Sequence, residues 1–187
     1  MKRKVISVLA LTLIVLMSAV LVSCDGWKQV APDEVVKEVV ADIKAEHVYF
    51  RDYIEALAER DVTPADLQTT LDTNLKLKYK AEWGSDTTVK VEVEKDYISA
   101  KVDGPDGKHV LDIKYSDIDL DTKGNKVTGK FSITITKPDG AAASSHSYDT
   151  AGDFTIALKD SVTFSSVSYR GTDYDTDNFN KEMEREL

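Results

Sequence analysis

The residues whose spacing is most suggestive of chemistry are acidic side chains near the C-terminus. Asp173, Asp175 and Asp177 alternate along the chain, and Glu184 follows eleven residues after Asp173. This spacing partly matches a calcium-binding loop, in which alternating carboxylates and a final glutamate hold the ion. However, Asn178 stands where such loops have glycine, and a strand pattern precedes the tract. The sequence therefore favours a solvated turn in which Asp175 or the next residue caps the last helix, and calcium-dependent stabilisation is the alternative.

Other candidate chemical groups do not form a recognisable set. The tract from Asp117 to Asp121 alternates Asp with Ile and Leu, which is typical of a strand with an outward acidic face. The histidines His47, His109 and His146 fall in a predicted helix, strand and loop, and no nucleophile elbow, zinc-protease motif or phosphate-binding glycine loop is present. We therefore predict that the protein is not an enzyme and has no catalytic residues.

The strongest motif surrounds the single cysteine. Three basic residues after Met1 precede an uncharged, largely apolar run from Val5 to Val22, as in an export signal. The following segment, Leu21-Val22-Ser23-Cys24, resembles the lipobox of bacterial lipoproteins. The alternative is a membrane-spanning helix that happens to end near a cysteine, because the run is just long enough to cross a bilayer.

The resemblance to bacterial lipoproteins implies a specific modification. Residues 1–23 would be a cleaved signal peptide, and Cys24 would carry a thioether-linked diacylglycerol and an N-acyl chain such as palmitate. The protein would then be anchored by lipid outside the cytoplasm, on the periplasmic face of the inner membrane or on the cell surface, depending on the organism. Asp25 is similar to the inner-membrane retention signal of enterobacterial lipoproteins. No other cofactor is predicted.

Charge limits the classes of partner. Removing residues 1–23 takes away three basic residues and no acidic one, so the net charge falls from −9 to −12. A domain this acidic is a poor ligand for nucleic acid or for anionic lipid headgroups. The predicted partners are therefore the membrane, through its lipid anchor, and an envelope protein or a small apolar ligand.

The first predicted element after Cys24 is a long helix. Residues 24–31 form a short tether of at most about 25 Å, and Pro32 with two following acids gives a helix start. Apolar residues then recur at helical spacing to about Arg60, with Val35, Val39 and Val48 widening the stripe. The stripe itself comprises Val36, Val40, Ile43, His47, Phe50, Ile54 and Leu57. His47 on this stripe is expected to be a core residue.

A shorter helix and a series of strands follow. Thr63 and Pro64 resemble a helix cap, and the helix is predicted to end before Asn74. From Leu75 to Trp83 apolar and polar residues alternate, which predicts a strand paired with the next one, with Lys78 facing Glu92. Further strands are predicted at Val89–Glu94, Tyr97–Val102, His109–Tyr115 (extending to Leu120), Lys126–Thr136, Tyr148–Leu158 and Val162–Tyr169. A last helix is predicted from about Asp177, with Phe179 and Met183 on one face.

These elements predict an α+β fold. Residues 32–187 would form a single domain with a curved antiparallel meander of about seven strands, the long N-terminal helix packed on its apolar face and a short C-terminal helix. Strand count alone leaves open whether such a sheet closes into a barrel.

The predicted function is a noncatalytic binding or interaction module of the cell envelope. One alternative is a carrier of an apolar or lipidic ligand, with a cleft between helix and sheet. In the other alternative, an interaction module, the helix and the sheet fill the space between them and leave no cleft. Such a module would contact a partner through its acidic outer surface, with help from tyrosines near strand ends or loops: Tyr97, Tyr148, Tyr169 and Tyr174.

Overall fold

The computed structural model describes residues 33–60, 62–140 and 144–187. Cys24, the predicted signal peptide 1–23 and the tether 24–31 lie outside these residues. Three helices and seven strands are present in the described part, in the order α1 (Asp33–Glu59), α2 (Pro64–Trp83), β1 (Thr88–Glu94), β2 (Tyr97–Asp103), β3 (Val110–Asp121), β4 (Lys126–Pro138), β5 (Ser145–Ile156), β6 (Ser161–Tyr169), β7 (Thr172–Tyr174) and α3 (Asp177–Glu186).

Helix α1 follows the predicted stripe. Asp33 and Glu34 occupy its first turn, where carboxylates interact favourably with the positive end of the helix dipole. Every residue of the predicted stripe is buried, as is Val39. Val48 was expected to widen this face and that prediction is wrong, because its side chain is 58% exposed. The long helix therefore buries one narrow face against the sheet.

Helix α2 is longer than predicted. Thr63 caps it, since the hydroxyl accepts a hydrogen bond from the Asp66 amide, but the helix then continues to Trp83. The predicted strand from Leu75 to Trp83 is wrong, and so is the pairing of Lys78 with Glu92. Leu75 and Tyr79 are buried and Leu77 is 69% exposed, as expected for one face of a helix.

The sheet is an open antiparallel meander. The strands lie in sequence order from β1 to β7, with each neighbouring pair antiparallel, so the predicted α+β class and meander are confirmed. The pairing shifts register between Ser116 and Asp119 in β3 and between Ala151 and Gly152 in β5. Such bulges bend a strand and increase its twist. Ile118 in β3 is buried while Asp117 and Asp119 are exposed, so the outward acidic face is confirmed.

The three helices cover one face of the sheet. Phe50 of α1 packs on Tyr115 of β3, with ring centroids 5.6 Å apart. Beside it, the Gln68 side chain of α2 accepts a hydrogen bond at 3.2 Å from the Val93 amide of β1. On the other side, α3 presents Phe179, which is fully buried, as predicted. The buried apolar residues form one cluster between helices and sheet.

The opposite face of the sheet is polar. Lys101 lies opposite Asp112 on neighbouring strands, and the Thr134 hydroxyl donates a hydrogen bond to Asp149 at 2.6 Å. Exposed side chains alternate with the buried ones along each strand. This face is therefore solvated, and the apolar face beneath the helices forms the core.

His47 is a core residue, as predicted, and it gives the fold a pH dependence. Its side chain is 2% exposed and its ring lies 5.8 Å from that of Phe154. Burial lowers the pKa of His47, so the folded protein keeps the ring neutral below the ordinary imidazole range. In the unfolded chain the His47 ring binds a proton near pH 6.5. The free energy of unfolding therefore keeps its full value above this pH and falls as the medium becomes more acidic.

We therefore expect His47→Leu to flatten the pH dependence of stability. The wild-type free energy of unfolding should fall from pH 7 to pH 5 more steeply than that of the variant, by up to about 1.4 kcal/mol per pH unit for one proton. Denaturant titrations at each pH measure this slope. Phe50→Leu, which alters the same helix face without removing a titratable group, should retain the wild-type slope. Equal slopes for the wild type and His47→Leu would contradict the assignment.

Candidate functional site: a cleft between two helices and the sheet edge

A cleft opens where α1 and α2 meet strands β3 and β4. Its volume is about 440 Å³, within the range of small-molecule sites. The helices supply one wall and the strand ends the other. The lining residues are Asp42, Ala45 and Glu46 of α1, Tyr79, Glu82 and Trp83 of α2, His109, Leu111 of β3, and Ile135, Thr136, Lys137 and Pro138 of β4. We call this the α1–α2 cleft.

Three rings form one wall of the α1–α2 cleft. The centroid of Trp83 lies 4.5 Å from that of Tyr79 and 5.2 Å from that of His109. The His109 Nδ1 atom lies 2.9 Å from a carboxylate oxygen of Asp106, which fixes the orientation of the ring. Trp83 is the last residue of α2, and His109 directly precedes β3. The wall therefore forms only because α2 extends as far as Trp83.

Glu46 is the most unusual polar residue of the cleft. Its side chain is 12% exposed, and its Oε1 atom accepts a hydrogen bond from the Tyr79 hydroxyl at 3.0 Å. The other oxygen, Oε2, is buried and has no hydrogen-bond partner among the described residues. Burial raises the pKa of the Glu46 carboxyl, and the nearby Lys78 ammonium partly offsets this effect. Such a carboxylate gains from any additional positive charge placed near it.

The charge of Lys78 is shared among several groups. Its Nζ atom lies 3.5 Å from Glu46 Oε1 and over the rings of Tyr49 and Tyr79, at 4.4 and 4.6 Å from their centroids. Cations over aromatic faces are stabilised by the ring quadrupole. Lys78 therefore holds α2 to α1, and it only partly neutralises Glu46.

Lys137 and Asp42 form a second charged group at the cleft edge. Asp42 accepts hydrogen bonds from both Lys137 and the Tyr148 hydroxyl, and Glu38 lies 3.8 Å from Lys137 Nζ. Tyr148 was expected among exposed contact residues; that prediction is wrong, because its side chain is fully buried. Burial and the Asp42 carboxylate raise the pKa of Tyr148 above its ordinary range. Lys137, the only lysine among the described residues that line the cleft, is thus neutralised by Asp42 and the neighbouring Glu38.

Next to the cleft, His146 joins α1 to the β4–β5 hairpin. Its Nδ1 atom lies 2.7 Å from Asp139 and its Nε2 atom 3.0 Å from Glu38. His146 lies in β5, opposite Lys137 of β4, and not in the loop where the sequence placed it. The hydrogen bond with His146 holds the pKa of Asp139 below its usual range. This contact fixes the first turns of α1 on the sheet.

Two other clefts of similar volume lack these features. One of about 450 Å³ lies near Arg60 and Lys95, and another of about 410 Å³ lies near Asp160 and Asn180. Turn, helix-end and strand residues line both, and neither is lined by an aromatic ring. The α1–α2 cleft combines a ring wall with a buried carboxylate, so it is the best candidate site in the described part of the chain.

The four predicted calcium residues lie in β7, in α3 and in the turn between them. Asp173 lies in β7 and Asp177 opens α3, whereas Glu184 lies further along α3 beside a different cleft. Asp175 accepts a hydrogen bond at 3.1 Å from the amide of Asp177, the first residue of α3, whereas Thr176 at the N-cap makes no side-chain cap hydrogen bond. Within residues 33–60, 62–140 and 144–187, no three His, Cys, Asp or Glu side chains are grouped as metal ligands.

Asn180, two positions after Asn178, stands where calcium loops usually have an apolar residue, and its side chain bonds to β6. Its amide oxygen accepts a hydrogen bond from the Phe164 amide at 2.7 Å, and its amide nitrogen donates to the Phe164 carbonyl at 3.2 Å. This pair of bonds attaches α3 to β6. The side chain that replaces the usual apolar residue of a calcium loop thus has a structural role.

Comparisons with known proteins give no further guide to the site. No protein-family model, curated protein or solved structure matches the chain. Among the helices that the structure describes, none is long and apolar enough to cross a membrane.

Proposed function

We propose that the protein is a lipid-anchored lipoprotein of the bacterial envelope, held outside the cytoplasm, and that its domain is a noncatalytic module that binds a small ligand in the α1–α2 cleft. The anchor is supported by the lipobox-like segment ending at Cys24. The single observation that carries the binding role is the cleft itself, with its ring wall and its buried Glu46.

The lining of the cleft favours a ligand with a polar group over a purely apolar lipid. The interface between α1 and the sheet is filled by buried side chains such as Ile43, Phe50 and Ile54, and the cleft opens at the edge of this packing. Leu111 and Ile135 give it an apolar floor, while carboxylates lie at its rim. Pockets of this kind orient ligands through a few polar groups on an apolar surface.

The second form of the predicted function, contact through the acidic exterior, has less support. The exposed face of the sheet mixes lysines with acids and carries many Ser and Thr side chains. Protein interfaces are instead enriched in aromatic residues and depleted of charge at their centre. We therefore place recognition in the cleft.

Filling the α1–α2 cleft should abolish ligand binding. Ala45 lies in the cleft lining at an exposed position of α1, so Ala45→Trp should occupy the cleft without disturbing the core. We expect that a small-molecule library screened by NMR on the full chain in lipid nanodiscs gives compounds that shift the indole N–H signal of Trp83, and that Ala45→Trp removes these shifts.

Val48→Trp is the matched control, because Val48 is exposed on the same helix and lines none of the clefts described here. This variant should keep the binding of every compound. A library without a single compound that shifts the Trp83 signal would contradict the binding role, as would compounds that bind equally well to Ala45→Trp.

A further inference from the structure

We propose that the ligand of the α1–α2 cleft is a small organic cation, namely an ammonium or guanidinium group on an aromatic or aliphatic body. This inference rests on the proposed binding function and specifies its ligand class. The cationic group would lie by Glu46 and Glu82, and the body would lie on the ring wall of Trp83, Tyr79 and His109.

The charge balance of the cleft favours a cation. Among the described residues that line it, Lys137 is neutralised by Asp42 and lies 3.8 Å from Glu38, and the His109 ring lies 2.9 Å from the Asp106 carboxylate. The remaining negative charge comes from Glu82 and from Glu46, which Lys78 at 3.5 Å neutralises only in part. Glu82 is exposed at the rim, so the potential of the cleft stays negative, and the acidic chain reinforces it.

The hydrogen bonding of Glu46 is incomplete. A carboxylate can accept several hydrogen bonds. Glu46 accepts from Tyr79 and from Lys78 through Oε1, whereas Oε2 is buried without a donor among the described residues. Buried acceptors without a donor are rare in folded proteins. The terminal torsion of a glutamate is soft, so a small rotation of the carboxylate would let an N–H group in the cleft donate to it.

The ring wall also suits a cation. Among aromatic side chains, tryptophan has the face that attracts cations best, and proteins bind ligand cations on such faces. Trp83 is half-buried, with Tyr79 and His109 on either side. Within the same cleft as the two carboxylates, the wall thus offers the Trp83 ring, which is tilted by 49° to the Tyr79 ring and by 32° to the His109 ring. The carboxylates would repel an anion, and a neutral compound would gain no charge attraction from them.

A matched probe series tests this inference. Phenylbutylamine, phenylbutanol and phenylbutyrate share one apolar body and differ in charge. We would titrate each into the full chain in lipid nanodiscs at neutral pH and follow the Trp83 indole N–H signal, with Trp27→Phe assigning the two tryptophan signals. We expect the amine to bind at least about tenfold more tightly than the alcohol, and the carboxylate not to bind, since one charge pair of this kind is worth about a factor of ten.

Two charge-removing variants localise the effect. Glu46→Gln should weaken amine binding about tenfold, and Glu82→Gln about two- to threefold because its carboxylate is exposed. The second variant alters a surface residue, so its fold is not at risk. Glu92→Gln is the control: Glu92 is exposed on β1 and lies outside the cleft lining, and the variant should bind the amine like the wild type.

The outcomes separate this inference from the proposed function. Equal binding of amine and alcohol, tighter binding of the carboxylate, or unchanged amine affinity in both variants would overturn the cation assignment while leaving a ligand-binding cleft in place. Failure of the amine to shift Trp83 would overturn it as well. If every library compound also failed to shift Trp83, the binding function itself would fall.

Discussion

Replacing Gly152 by alanine should destabilise the fold by about 3 kcal/mol or more. A Cβ atom on Gly152 would lie 1.9 Å from the carbonyl oxygen of Thr163 and 2.9 Å from the Phe131 ring. The first neighbour is backbone of the adjacent strand, so the clash can be relieved only by moving β6 away from β5. Forced overpacking of a core typically costs about 1–3 kcal/mol, and backbone displacement raises this further. Chemical denaturation followed by tryptophan fluorescence measures the change.

Gly107→Ala is the matched control for this effect. Gly107 has a φ of 67°, and a Cβ atom there would have nothing within 4 Å. The control variant should therefore lose only the stability that a left-handed backbone costs a residue with a Cβ atom, about 1–2 kcal/mol. If Gly152→Ala lost no more stability than Gly107→Ala, the close approach of β5 and β6 at this bulge would be wrong.

The spacing of the buried residues explains why the prediction of α1 is correct and why the predicted α2 is too short. In α1 the buried residues recur at alternating spacings of three and four, which only a helix satisfies. In α2 the buried residues Leu67, Leu71, Leu75 and Tyr79 recur every four residues. A spacing of four fits both a helix and an alternating strand, so the pattern after Leu75 was ambiguous.

Composition resolves this ambiguity. The segment from Leu75 to Trp83 contains no β-branched residue and consists mainly of Leu, Lys, Ala and Glu, all strong helix formers. Strands β1 and β4, in contrast, are rich in Val, Ile and Thr, as strands usually are. Helix propensity and periodicity together therefore predict that α2 continues to Trp83.

The cleft could not be predicted from the sequence, because it depends on the last turns of α2. A strand from Leu75 to Trp83 would pair Lys78 with Glu92. Such a strand does not predict any contact between Glu46 and Tyr79. In the structure the last turns of α2 place Tyr79, Glu82 and Trp83 beside α1. The sheet, by comparison, follows from short connections that force successive strands to pair. Local signals thus predicted the meander, whereas the site requires contacts between distant segments.

A cleft beside a membrane anchor has a consequence for ligand access. The predicted tether between Cys24 and α1 is short, and the His146 contact with Glu38 fixes the first turns of α1 on the sheet. Asp42 and Glu46 follow within the next turns of the same helix. In the lipid-anchored protein that we propose, the cleft therefore stays close to the bilayer surface. Amphiphilic compounds partition into the bilayer interface, which would raise their concentration near the cleft.

Replacing Cys24 by alanine should abolish lipidation completely. In the proposed processing, the thiol is the acceptor of the diacylglyceryl group and the cut precedes it, and the chain contains no second cysteine. Bacteria that express the wild-type chain and are fed an alkyne-tagged palmitate should yield a labelled protein. Mass spectrometry should then find a chain that begins at a modified Cys24. The Cys24→Ala chain should carry no label and should not be cut at this position.

Ser23→Ala is the matched control for Cys24→Ala, because it keeps a small residue before the cysteine and should retain full labelling. The result also decides between the two interpretations of the apolar run from Val5 to Val22. An unlabelled wild-type protein that retains residues 1–23 would show that this run is a membrane-spanning helix. The domain would then be tethered by its own chain, and the binding role of the cleft, which depends only on residues of α1, α2, β3 and β4, would be tested independently of the anchor.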